Sequence, residues 1–287
     1  MFSIKIARKP VFAGQFYPQS EVELSSVISR FLEQEKLSNK KVRAIIVPHA
    51  GYVYSGAIAG LAYKQTIAHN YKRVVLLAPS HRVSFRGIAF SGYAEYMTPL
   101  GNVKVDEHSI EHILKSSSNM IGQLDDAHLN EHSLEVQLPF IQTIHPNSKL
   151  IPIVCGELDL MQIEEITNEL SDYWDEDTLW VISSDFTHYG GHFHYKPFDV
   201  DIEENIKKLD QEAIKLITEL NLPEFNKFLN KTKATICGSN PIKLLIDVIN
   251  ASCENIKIEQ IAYDTSGNMT GDFSTTVSYA SLVAYDC

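Results

Sequence analysis

The chain has 287 residues, 44% of them hydrophobic and 21% charged, enough to bury a large core without a disulfide or structural metal. Its formal net charge of −11 repels phosphate backbones and anionic headgroups, which argues against nucleic-acid binding and docking on acidic membranes. No run approaches the roughly twenty apolar residues of a membrane span, and MFSIKIARKP lacks a secretory core and cleavage site, so a cytoplasmic location is expected.

Ser20-Glu21-Val22-Glu23 fits a capping box. Leu24, Val27, Ile28, Phe31 and Leu32 then recur at helical spacing. A charged stretch from Glu33 to Lys41 leads into the apolar run 42–47, read as a buried strand. A helix is predicted over 55–69, a second strand over 73–78, a short strand over 87–91 and a turn at 99–102. Helices follow at about 106–116 and 133–145, a strand at 149–155, a helix at 159–173 and a strand at 178–185. Three helical pieces near 201–219, 222–230 and 239–251 precede two late strands at 256–263 and 275–285.

Apolar strands alternating with amphipathic helices predict an α/β fold of three layers, α/β/α, with a mainly parallel central sheet. The last two strands are expected as antiparallel additions. With no repeat, low-complexity tract or linker, the whole of 1–287 is expected to form one domain. The four cysteines, Cys155, Cys237, Cys253 and Cys287, have irregular spacing and no CxxC pair, so neither a disulfide framework nor a zinc ribbon is indicated.

The polar residues that matter follow the strands. VPHAGYVYSG puts His49 just past the first strand, LAPSHR puts His81 at the equivalent point of the second, and SSDFTHYGGH delivers Asp185 and His188 after the fourth. Ligands of open α/β sheets bind outside the carboxyl ends of the strands, so three strands aim imidazole or carboxylate groups at one region. Each residue also has a plainer reading. His49 and His81 suit hydrogen-bonded loop positions, Asp185 a helix N-cap, Cys237 in ATICGSNP an inert buried thiol, and His132 the start of the 133–145 helix. His69, His108, His112, His128 and His145 read as solvated surface, with His192 and His194 less clear because they lie close to the Asp185 loop. Glu131 and Glu135 read as helix-terminal charges.

RKPVFAGQFYP, VPHAGYVYSG, APSHR, NEHSLEVQLPF, SSDFTHYG and TICGSNP, in that order over residues 8–241, together resemble the Memo family, and YDTSGNMTGDFSTTVSYAS resembles its C-terminal segment. APSHRVSFRGIAF and TPLGNVKVD look closer to the prokaryotic members, called AmmeMemoRadiSam system protein B. The resemblance implies a fold similar to the class III extradiol dioxygenases, metal ligands at His49, His81 and Cys237, and a pocket lined by Asp185 and His188. His132 and Tyr54 match further pocket positions, and Phe16 stands where animal members tend to carry Trp. It also implies a functional link to an AMMECR-domain protein and a radical SAM protein.

In such dioxygenases two His and one carboxylate hold iron. Here Cys237 stands where the carboxylate would be, and a thiolate, softer and itself oxidisable, favours iron or copper, with zinc also able to bind. Three protein ligands leave a position open for a small molecule. His188, oriented by Asp185, would be a general base or proton donor there, with His132 beside it and Tyr54 and Phe16 as walls. A redox-active metal protein of oxidoreductase type is the first reading, a non-catalytic metal-binding or sequestering protein the second, and a peptide-binding module using the same pocket the third.

Overall fold

The structure, a computed structural model, describes residues 7–33, 40–115 and 118–287. Part of the N-terminal decapeptide, most of the charged stretch 33–41 and the end of the helix expected at 106–116 therefore lie outside the described residues. The strands are β1 (Val42–Val47), β2 (Arg73–Pro79), β3 (Ile88–Phe90), β4 (Glu95–Thr98), β5 (Gly101–Lys104), β6 (Ile121–Gln123), β7 (Lys149–Cys155), β8 (Thr178–Ser183), β9 (His188–Gly190), β10 (Ile256–Thr265) and β11 (Thr275–Asp286).

The central sheet runs β10-β11-β1-β8-β2-β7-β3-β6, with β9 beside β11, and β4 and β5 form a separate hairpin. The pairings β1–β8, β8–β2, β2–β7 and β3–β6 are parallel. β11 is antiparallel to β1 and β10, as expected of the late strands. Every residue of β1 and β8 is buried. Apolar runs without alternation have this outcome because both sheet faces are covered. Helices Glu21–Leu32, Tyr52–Gln65 and Leu138–Ile144 pack together, with Tyr52–Gln65 resting on β1, β10 and β11. Ser239–Ser252 packs on Leu160–Leu170 and Leu222–Thr232 and rests on β2 and β8. Fully burying each Val or Ile of β1 contributes roughly 1.5–3 kcal/mol. Among the described residues no helix is long and apolar enough to cross a membrane.

Ser20 caps the first helix, its Oγ accepting from Glu23 N. A complete capping box stands at Asp159 and Gln162. The helix expected over 133–145 is instead two pieces, His132–Glu135 and Leu138–Ile144. Pro139, at the start of the second piece, has no N–H to donate to Glu135 O, so the helical ladder is interrupted there.

Candidate metal centre

Strand register builds the site. Val47 pairs with Ser183, and Leu77 with Ile182, so His49, Asp185 and His81 emerge almost level from the carboxyl ends of three adjacent strands. Cys237 comes from the turn before helix Ser239–Ser252. That turn packs tightly on the end of β8, with Gly238 N donating to Ser184 Oγ at 3.0 Å. A Cβ on Gly238 would lie 2.6 Å from Ser183 O and collide with the Ser184 side chain, so only glycine lets the thiol approach this closely.

One ligand atom each from His49, His81 and Cys237 lies within 4.8 Å of the other two. His49 Nε2 is 3.2 Å from Cys237 Sγ. Metal bonds of ~2.0–2.1 Å to nitrogen and ~2.3 Å to sulfur at a tetrahedral angle would put those atoms about 3.5 Å apart, so the spacing suits one shared ion.

Hydrogen bonds fix which nitrogen of each ring is free. Ser183 Oγ donates to Ser133 O at 2.6 Å, so it must accept from His49 Nδ1 at 2.9 Å. Glu131, acceptor-only when ionised, takes the His81 Nδ1 proton at 2.9 Å and the His81 backbone N–H at 2.6 Å. In its neutral form each ring is thereby assigned the Nδ1–H tautomer, with Nε2 as the lone-pair nitrogen. Burial, and then the neighbouring His81 charge, holds the His49 pKa well below the usual imidazole value, which keeps it neutral. Burial pushes Cys237 well above the usual thiol value and the Asp185 charge adds to this. A thiolate there calls for a cation.

Glu131 is buried, which pushes its pKa up. The hydrogen bonds and charge of His81 outweigh that and bring it down to about 2. Glu131 is helix-terminal, as expected, capping the short helix His132–Glu135 by accepting from Ser133 N at 3.1 Å, but it is buried and also holds His81. Glu135 ends the same helix and is buried and paired with Arg8 at 2.7 Å. It also accepts from Tyr17 Oη at 2.6 Å and Phe12 N at 2.8 Å. His128 and His145 are buried as well, not solvated.

The ring centroid of His132 stands 4.6 Å from that of His81 and 5.5 Å from that of His49, with Phe16 packed on it at 4.8 Å. Its buried Nδ1 has no hydrogen-bond partner among the described residues and sits 3.3 Å from Glu131 Oε1. Burial first, and then the charges of His49 and His81, bring its pKa to about 3. Asp185 accepts the His49 N–H at 2.8 Å. Burial pushes its carboxyl up, against the lowering charge of His188. His188 departs from expectation: its Nδ1 lies 2.9 Å from both Phe186 O and Thr235 O, so carbonyls rather than Asp185 orient the ring. Asp185 is already engaged by the His49 backbone, and no helix follows it, so it is not an N-cap. Tyr54 is 41% exposed on the first turn of its helix.

Sequence reasoning missed Ser183, Glu131 and Thr235 as supports. The Ser and Thr carried no signal, but NEHS, with an acid beside a histidine, was readable. The sequence model of the Memo-like protein family matches residues 8–283. The chain belongs to the Memo family. Over 96% of its length it is 32% identical to human Protein MEMO1, covering 96% of that protein. It is equally similar, at 32%, to a MEMO1 family protein of Nitrosopumilus maritimus, with 96% of this chain and 98% of the relative covered. An uncharacterised protein of Escherichia coli K12 shares the fold, with a TM-score of 0.50 and 12% identity over 85% of this chain and 99% of that one. In this Memo-family chain, the His49, His81 and Cys237 cluster is a group of donors that could hold a metal ion.

Proposed function

We propose that the protein holds one transition-metal ion, iron or copper ahead of zinc, through His49, His81 and Cys237, and that the site is redox-active. The observation that carries this reading is that two rings whose Nδ1 atoms are engaged by Ser183 and Glu131 each bring a ligand atom within 4.8 Å of one sulfur. Such an ion would supply a Lewis-acidic, electron-accepting centre with a position left open. The fold relationship to extradiol dioxygenases belongs to the same proposal. His188, with Nδ1–H held by two carbonyls, keeps Nε2 for exchanging a proton. Asp185 steadies the His49 backbone, and His132 with Phe16 bounds the neighbouring wall.

The softness of sulfur favours a second reading, in which the protein holds metal without turnover. The first measurement is metal content of the full chain purified without chelators or an affinity-tag metal. One ion per chain is expected, with His49→Ala and Cys237→Ala each losing most of it. Wild-type content in either variant would count decisively against the assignment.

A further inference from the structure

A cleft of about 370 Å³ opens beside the donors, with His81 and Cys237 in its wall. At ~30 Å³ per water it has room for about a dozen waters, at the small end of ligand pockets. Arg82 is the one cation among its lining residues and Glu157 the one carboxylate. Arg82 is exposed and, among the described residues, forms no ion pair or hydrogen bond. By contrast, Arg86 nearby is paired with Asp159 at 3.1 Å.

Two of the neutral polar groups are already engaged. Ser80 Oγ donates to Val83 O at 2.6 Å and Asn240 Nδ2 to Gly156 O at 2.8 Å. The guanidinium is therefore the strongest donor left to a ligand, and in sequence it directly follows His81. Its fork matches a carboxylate two-to-two. A dianion such as a phosphate monoester would meet a second unfavourable term from Glu157 and from the net charge of −11. Val83, Phe85 and Pro241 supply apolar surface for a hydrocarbon body.

We infer that this cleft takes a small monocarboxylate with an aromatic or aliphatic body, its carboxylate on Arg82. The inference rests on the metal reading only in directing the far end of that molecule towards His81 and Cys237.

Titration calorimetry on the full chain, with and without one equivalent of Zn(II), tests it with three probes: 3-phenylpropionate, its uncharged amide and phenyl phosphate. Metal content is measured on the same samples. The acid is expected to bind, with the amide and the phosphate ester each at least ~10-fold weaker. Arg82→Gln should cost the acid roughly 10–100-fold, the range of a charged hydrogen bond, and leave the amide unchanged. Equal binding of acid and amide, tighter binding of phenyl phosphate, an unchanged Arg82→Gln, or no binding by any probe would each overturn the inference. Arg82-dependent acid binding without uptake of Zn(II), and of Fe(II) or Cu(I) offered in parallel, would remove the metal reading alone. Zn(II) uptake without Arg82 dependence would remove this inference alone.

Discussion

The buried carboxylate of Glu131 grips His81 twice, through the backbone N–H at 2.6 Å and through ring Nδ1 at 2.9 Å. It thus sets both the position of the ring and the tautomer that leaves Nε2 free. Removing such a support typically lowers metal affinity 10–100-fold. Glu131→Ala is expected to fall in that range for Zn(II) in competition with a chromophoric chelator. An affinity equal to wild type would mean that His81 is not held through Glu131.

His188 separates the two functional readings. If the site turns over a substrate, His188→Ala should keep nearly all bound metal and lose roughly 10²–10⁴-fold in rate, the usual contribution of a proton-transfer group. Oxygen consumption with catechols, thiols or ascorbate is the readout, alongside metal analysis of the same variant. No oxygen uptake by the iron- or copper-loaded wild type with any reductant would favour the metal-holding reading.

Stability should depend on pH through His128. Burial lowers its pKa from 6.5 to about 4 in the folded protein. It is kept neutral between Tyr96 Oη at 2.8 Å and Ala89 O at 2.8 Å. The unfolded chain takes up the proton first, so this contribution is complete above pH ~6.5 and is lost as pH falls through 6.5 towards 4. The full loss is about 3 kcal/mol, and His145, also lowered to about 4 by burial, acts in the same window. Urea midpoints between pH 7 and 5, above the carboxylate range, should fall in wild type and fall less in His128→Gln. A flat wild-type profile would contradict a buried neutral His128.

Arg8 and Glu135 form a buried ion pair, with side chains 1% and 0% exposed. Arg8 also donates to His128 O at 2.7 Å and Glu131 O at 3.1 Å. Glu135→Leu alone strands the guanidinium and should cost roughly 3–5 kcal/mol. The double variant Arg8→Met/Glu135→Leu should recover part of that loss in denaturant unfolding. A double variant less stable than the sum of the single losses would show that more than the charge pair is at stake.

The strands β1, β2, β7 and β8 were readable because strands covered on both faces have continuous apolar runs. With them came the positions of His49, His81 and Asp185, since a strand's carboxyl end follows from where the run stops. The pieces β4, β5, β6 and β9 were not foreseen beyond a turn at 99–102. Strands of three or four residues carry too few side chains to show a period and are held by their neighbours. The helix 133–145 was misjudged despite Pro139 standing in the sequence. Burial of His128, Glu131 and Glu135 is a tertiary outcome, because each is satisfied by a partner far along the chain, Ala89, His81 or Arg8. Nothing in the spacing reveals that the carbonyl of Thr235, rather than Asp185, orients His188.

The strand order has one further consequence, for synthesis. Thr275–Asp286 lies between β1 and β10, with Ile46 paired to Leu282, so a strand made early waits for one made late. Until the ribosome has released those residues, the nascent chain exposes the bare edge of β1, the kind of edge on which chains pair wrongly. The interval is more than two hundred residues of elongation, and over it the nascent protein is most open to chaperones and to aggregation.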